Sequence, residues 1–166
     1  QVAASHFRHG TLLKDLNQYW FSQHPIQQLV IELTERDALL DVDYRVVREL
    51  HRMGIKLAID DFGTGNSSLS WLEKLRPDIL KIDKSFTSAI GTDAVNSTVT
   101  DIIIALGKKL NIELVAEGVE TQAQAQHLRR HGVHVLQGFL YAQPMPLRDF
   151  PKWLAGSTPP PARHKG

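Results

Sequence analysis

Two adjacent aspartates, Asp60 and Asp61, are followed at once by Phe62, Gly63, Thr64, Gly65, Asn66, Ser67 and Ser68, and this stretch is the one best suited to chemistry. Neighbouring carboxylates repel each other unless a cation lies among them, and glycines beside them let a ligand come close to the backbone. The N–H groups of Gly63 and Gly65 and the hydroxyls of Thr64 and Ser67 suit a phosphate or a gate that closes over one. A plain strand-to-helix turn capped by Ser67 or Ser68 is the competing reading. Other polar side chains recur along the chain, with Glu32, Lys81, Glu117 and Gln137 each at the end of a short apolar run. Any one of these alone is more often a cap or a surface residue. In series they point to a single opening. With no cysteine in the chain and only scattered histidines, Glu32, Asp60, Asp61 and Glu117 together suit oxygen ligation of Mg2+ or Mn2+.

Such a set needs a scaffold that gathers strand ends. Runs rich in Ile, Leu and Val at 29–33, 56–59, 79–82, 113–116 and 133–136 read as buried parallel strands, and a sixth is expected at 2–4. Helical spacing marks 44–53, 95–110 and 122–130 between them. In the second of these, Val95, Val99, Ile102, Ile103, Leu106 and Leu110 predict one apolar face. Gly54 and Gly132 stand where left-handed C-caps are commonly needed. Alternating strands and helices make the chain α/β, and βα units of this regularity form a TIM-type (β/α) barrel with its chemistry at the strand C-termini. Its 166 residues fall short of the roughly 250 of a whole barrel, so an incomplete one with about six of eight strands is expected.

Composition narrows the classes further. A content of 42% hydrophobic and 22% charged residues describes one soluble globular domain, expected over 1–155. Residues 156–166, rich in Pro, Ser and Lys, read as a disordered tail. The net charge of +1 provides no field for nucleic acid, so no nucleic-acid partner is expected. Without cysteine there are no disulfides, thiolate-bound zinc or cysteine nucleophile. No run of about 18 apolar residues and no signal-peptide layout is present, which fits a cytoplasmic chain.

The motifs IELTE at 31–35, DDFGTG at 60–65, LKIDKSF at 80–86, AEGVET at 116–121, QGF at 137–139 and PMP at 144–146 resemble, in order and spacing, those of the EAL domain family. The likeness runs from about residue 4 to residue 154. It implies a bacterial phosphodiesterase that hydrolyses the second messenger cyclic di-GMP to linear pGpG with two Mg2+ or Mn2+ ions. By resemblance, Glu32 and Asp60 bind metal, Asp60 bridges both ions, Asp61 completes the second site, and Glu117 meets that ion or its water. Lys81 positions or polarises the water, Gln137 assists it or touches substrate, and Glu35 steadies the loop of Phe62, Gly63, Thr64, Gly65 and Ser67. Either Lys81 or Glu117 takes the proton. The family's Glu-Ala-Leu strand and a following Asn ligand would lie before Val2, so the expectation is an N-terminally truncated domain, with little or no activity as an isolated fragment. Homodimers through such domains, an upstream sensory domain and anchoring of the parent protein to the inner membrane also follow from the resemblance.

Two other functions compete: a catalytically inactive module of the same family that binds cyclic di-GMP or a protein, and a Mg2+-dependent barrel enzyme with a Lys base. Asp83 and Glu120 are secondary site candidates, Asp83 joining the cluster and Glu120 anchoring the loop after Glu117. His127 and His131 have metal-ligand spacing on a helix, but Arg129 and Arg130 beside them favour a solvated face. Trp20, Trp71 and Trp153 have no basic stripe near them and read as packing residues.

Overall fold

A computed structural model describes residues 2–7, 11–20, 29–39, 42–65, 70–92, 95–133 and 135–156. Two short helices, α1 (Ala4–Phe7) and α2 (Thr11–Tyr19), precede strand β1 (Val30–Thr34). Then follow α3 (Glu35–Leu39), α4 (Tyr44–Arg52), β2 (Lys56–Phe62), α5 (Ser70–Leu75), β3 (Ile79–Ile82), α6 (Lys84–Thr87), α7 (Val95–Leu110), β4 (Glu113–Ala116), α8 (Gln122–Arg130), β5 (Val135–Leu136) and α9 (Phe150–Gly156). All strands pair in parallel, in the order β1-β2-β3-β4-β5. Among the described residues this five-stranded sheet is not closed into a barrel.

Register sorts the side chains into two faces. Glu32 pairs with Ala58, Ala58 with Ile79, and Ile79 with Glu113, so these residues share one face. Alternation along a strand puts Asp60, Lys81 and Val115 on the same side. The opposite face carries Ile31, Leu33, Leu57, Ile59, Leu80, Ile82, Leu114 and Ala116, all buried under the helices. The main core therefore lies between sheet and helices, packed by Val46, Val47, Leu50, Leu72, Leu75, Ile103, Ile104 and Leu128. This segregation leaves the other face free for polar groups.

Helix boundaries have local causes. Asp43 caps α4 by accepting from the Arg45 N–H at 2.9 Å, and Thr121 with Gln124 forms a reciprocal capping box at the start of α8. Gly54 and Gly132 close α4 and α8 with φ of 76° and 83°, as their positions predict. Trp71 is buried against Phe62 and Trp20 packs partly buried on the core, whereas Trp153 stacks on Phe150 in the exposed α9.

The structure corrects three expectations. Residues 2–4 form no strand: Val2 donates one hydrogen bond to the Glu32 carbonyl at 2.8 Å, then the His6 N–H closes a turn on Ala3 and the chain enters α1. A lone bond is not a ladder, so the described strands number five instead of six. Gly156 belongs to α9, not to a tail; the rest of the expected tail, 157–166, lies outside the described residues. On α7 the buried residues are Thr100, Ile103, Ile104 and Gly107, while Val95, Ile102 and Leu110 face outward. The reason is close packing: Gly107 has Leu114 so near that a Cβ would lie 2.6 Å from its Cδ2, which turns the glycine side of the helix to the sheet. Replacing Ile103, 4% exposed, with Ala should cost about 2–5 kcal/mol in denaturant unfolding. The same change at Ile102, 60% exposed, should stay within about 0.5 kcal/mol.

Candidate active site

At the C-terminal ends of the strands the polar face gathers around one ammonium group. Lys81 Nζ lies 2.8 Å from Glu117 Oε1, 2.9 Å from Asp60 Oδ1 and 3.2 Å from Glu32 Oε1. Lys81 comes from β3, Glu32 from β1, Asp60 from β2, and Glu117 directly follows β4. Its side chain is only 10% exposed, so these contacts lie where water screens little. Burial alone would push the Lys81 amine down, but hydrogen bonds and charge from Glu117 and Asp60 outweigh it and hold the amine above the ordinary lysine range. It is a fixed cation.

Asp61 adds a further carboxylate by a backbone device. Successive strand residues normally point to opposite faces, yet oxygens of Asp60, Asp61 and Glu117 lie within 4.8 Å of one another. Asp61 has φ of 54°, and the β2–β3 register shifts between Ile59 and Phe62. This left-handed residue at a bulge brings its carboxylate round to the side of Asp60. Its N–H also donates to Asp60 Oδ1 at 3.2 Å. Burial, then repulsion from Asp60 and Asp83, raises the Asp61 carboxyl above the usual range, with Lys81 opposing. Carboxylate oxygens at this spacing suit a hard divalent cation, which would relieve that repulsion. Glu32 reaches the group through Lys81 and is not part of the tight trio.

The loop after the aspartates is anchored from below. Glu35, 4% exposed, accepts from the Gly63 N–H at 2.8 Å and from the Gly65 N–H at 3.3 Å. Thr64 donates its hydroxyl to the Asp61 carbonyl at 2.8 Å. Gly63 has φ of 98°, and a Cβ there would lie 2.7 Å from Ile103 Cδ1 and 2.9 Å from Phe86 Cε2, so only glycine fits. Phe62 is buried against Trp71 and anchors the loop in the core instead of presenting a surface to substrate. Ser67 and Asn66 lie outside the described residues.

Other candidates divide. Gln137 follows β5 with its backbone in place, its N–H donating to the Ala116 carbonyl at 2.8 Å and its carbonyl accepting from Val119, while the side chain is exposed. The next residue, Gly138, packs so tightly that a Cβ would lie 2.2 Å from the Val119 carbonyl oxygen, which locks the segment after Glu117 to the end of β5. Asp83 caps α6 by accepting from the Ser85 N–H at 2.9 Å and stands close enough to Asp61 to repel it. Glu120 is exposed; its N–H, not its carboxylate, bonds Gln124 at 2.9 Å, so the loop is anchored by the capping box. The bulge at Asp61 escaped sequence reasoning, although adjacent aspartates within a strand run were its signal. Two open clefts, about 810 and 370 Å3, lie at the opposite end of the sheet, the larger lined by Lys56, Arg76, Asp78 and Glu113, away from these groups.

The chain resembles known proteins over most of its length. Residues 1–144 match the family described as EAL domain. The chain is 84% identical over 165 residues to PdeD of Escherichia coli K12, named a probable cyclic di-GMP phosphodiesterase, covering 99% of this chain and 31% of that protein. It is 40% identical over 149 residues to MucR of Pseudomonas aeruginosa, a bifunctional diguanylate cyclase/cyclic di-GMP phosphodiesterase, covering 87% of this chain and 22% of that protein. Among solved structures, the MucR phosphodiesterase in complex with cyclic di-GMP superposes with a TM-score of 0.78 at 39% identity, over 90% of this chain and 62% of that one. Klebsiella pneumoniae BlrP1, in a manganese/cyclic di-GMP complex, gives 0.73 at 31% identity over 86% of this chain and 38% of that one. The chain thus spans under a third of the length of both curated relatives.

Two outcomes test the electrostatics. Because the folded chain holds the Asp61 proton more tightly than the unfolded chain, ionising Asp61 costs stability above its raised pKa and nothing below the ordinary aspartate range near about 4. Asp61→Asn, which tolerates the left-handed backbone, should raise the Tm of metal-free chain at neutral pH, and the gain should vanish in acid. Glu35→Ala should cost about 1–3 kcal/mol by leaving loop N–H groups unpaired, with faster hydrogen exchange at Gly63.

Proposed function

Since the chain belongs to the EAL domain family, we propose that it carries the carboxylate and lysine cluster of a phosphodiesterase domain that hydrolyses cyclic di-GMP to linear pGpG. The observation that carries this reading is the convergence of Asp60, Asp61 and Glu117 oxygens beside a buried, cationic Lys81. The names of its relatives, and the cyclic di-GMP found with its structural neighbours, support the substrate. Mg2+ or Mn2+, two ions in the complete domain, is the proposed cofactor. Asp60 and Asp61, with Glu32 and Glu117, would hold it, and structural neighbours crystallised with manganese or calcium support a divalent ion. When bound, such ions supply Lewis acidity and a more acidic water.

The chain's own groups then divide the work. Lys81, a cation in the chain without metal, faces the negative charge that grows on the phosphoryl oxygens. It is hydrogen-bonded to Glu117, 21% exposed, and one of the two takes the proton from the attacking water. As water bonds to phosphorus and gives its proton to the base, one ester P–O bond breaks and the departing oxygen takes up a proton from that base or from solvent. Glu35 fixes the loop of Gly63, Thr64 and Gly65, and Gln137 approaches the substrate from the end of β5. The family match weighs against the Lys-base barrel enzyme. A cytoplasmic location follows from the nucleotide substrate, and among the described residues no helix is long and apolar enough to cross a membrane. The sensory domain, the homodimer and the membrane anchor of a parent protein rest on the family resemblance alone.

Hydrolysis of cyclic di-GMP in Mg2+ or Mn2+, with products identified by mass, tests the reading on this chain and on the full-length protein that carries it. Formation of pGpG by the full-length protein, abolished by Asp60→Asn, is expected, the loss being at least about a thousandfold. Near-normal turnover by Asp60→Asn would remove the metal assignment. Failure of the full-length protein to turn over substrate while calorimetry detects binding would favour an inactive receptor.

A further inference from the structure

A second cluster stands on the outer helical layer, away from the strand ends. His127 on α8 and His131, the residue that caps its C-terminus, are one helical turn apart and their rings lie 4.2 Å apart between centroids. Asp101, on α7, brings Oδ1 to 3.1 Å from His127 Nε2. One ligand atom from each of Asp101, His127 and His131 lies within 4.8 Å of the others. The helical spacing of the histidines was visible in the sequence, whereas the carboxylate, 26 residues earlier than His127, was brought in by the fold.

We propose that Asp101, His127 and His131 form a surface site for a late first-row divalent metal ion, Co2+ to Zn2+, of which Zn2+ is the representative. Imidazole nitrogen favours this class over Mg2+ and Mn2+, which sets the site apart in chemistry from the carboxylate cluster. The His131 ring has a fixed tautomer. Its Nδ1 lies 2.8 Å from the His127 carbonyl oxygen, which can only accept, so Nδ1 carries the proton and Nε2 the lone pair. Asp101 and His127 are paired across the helix interface at 3.1 Å, and a small rotation of each lets an ion replace the shared proton. Two imidazoles and a carboxylate leave a fourth tetrahedral position open to water. The exposed position of Asp101 and His131 allows that water access. Of the neighbouring cations, Arg129 bonds the Tyr141 hydroxyl at 3.2 Å, and Lys108 of α7 lies beside Gly132, where a Cβ would be 3.1 Å from its Nζ. An ion there joins α7 to α8, the helices that flank β4.

Zn2+ titration of the metal-free chain by calorimetry, with Co2+ absorption as a second readout, tests the site. A binding event weakened at least tenfold by His127→Gln and by His131→Gln, unaffected by excess Mg2+, with tetrahedral Co2+ bands lost in both variants, is expected. Asp101→Asn should weaken binding in the same direction. Zn2+ should raise the Tm of the parent chain more than that of His127→Gln. Equal Zn2+ affinity in the parent and both histidine variants would overturn the proposal, as would Co2+ spectra of a six-coordinate oxygen site or no Zn2+ binding at millimolar concentration. All three positions lie at least partly exposed, and circular dichroism of each variant verifies folding.

Discussion

The attraction between the Lys81 ammonium and the carboxylates of Glu32, Asp60 and Glu117 is the contact on which the rest of the polar face depends. Residues from four neighbouring strands and their ends meet in one partly buried charge cluster. With Asp61, the acids outnumber the ammonium by three negative charges when all are ionised. Such a cluster is tolerable only because Lys81 stays charged and because the group opens at the strand ends towards solvent. Removing one partner of a buried pair is costly, since it leaves the others uncompensated. The same excess of negative charge makes the cluster receptive to divalent cations. One arrangement thus serves folding and suits the proposed cation.

The two faces of the sheet divide the labour. Leu33, Leu57, Ile59, Leu80, Ile82 and Ala116 hold the helices down on one side, so the residues alternating with them, Glu32, Asp60 and Lys81, are fixed in position by backbone they do not themselves stabilise. Where alternation alone would send Asp61 to the wrong side, a bulge and a left-handed residue correct it. The loop beyond is then tied to Glu35 from β1's following helix, α3, which links the mouth of β2 to its neighbour.

Much of this was legible from sequence, for identifiable reasons. The strands β2 to β4 are apolar runs bounded by glycine or by polar residues, and their limits differ from expectation by a few residues at most. Lys81, Glu32, Asp60 and Glu117 stand out because each is a polar residue in or just after such a run. What period and composition could not reveal was direction. The α7 stripe was misread because Ile102 and Ile103 are equally apolar, and the packing of Gly107 on Leu114, a tertiary contact, chose which of them is buried. Residues 2–4 look extended by composition, but their partner strand offers them a single bond. Phe62 was grouped with the loop by its motif, although an aromatic next to Trp71 in space belongs to the core.

The order of strands in the sheet is also their order in the chain, and this has a consequence for how the protein is made. Each strand emerging from a ribosome finds its partner already synthesised, so the sheet can grow from one edge without waiting for a distant segment. Charges arrive in the same sequence. Pairing of β1 with β2 brings Glu32 and Asp60 together before their counterion exists, and the nascent sheet carries unrelieved repulsion until β3 delivers Lys81. Addition of β4 and Glu117 then completes the cluster around an ammonium that is already in place. Sequential topology thus makes β3 the strand whose pairing supplies the counterion for carboxylates already delivered by β1 and β2.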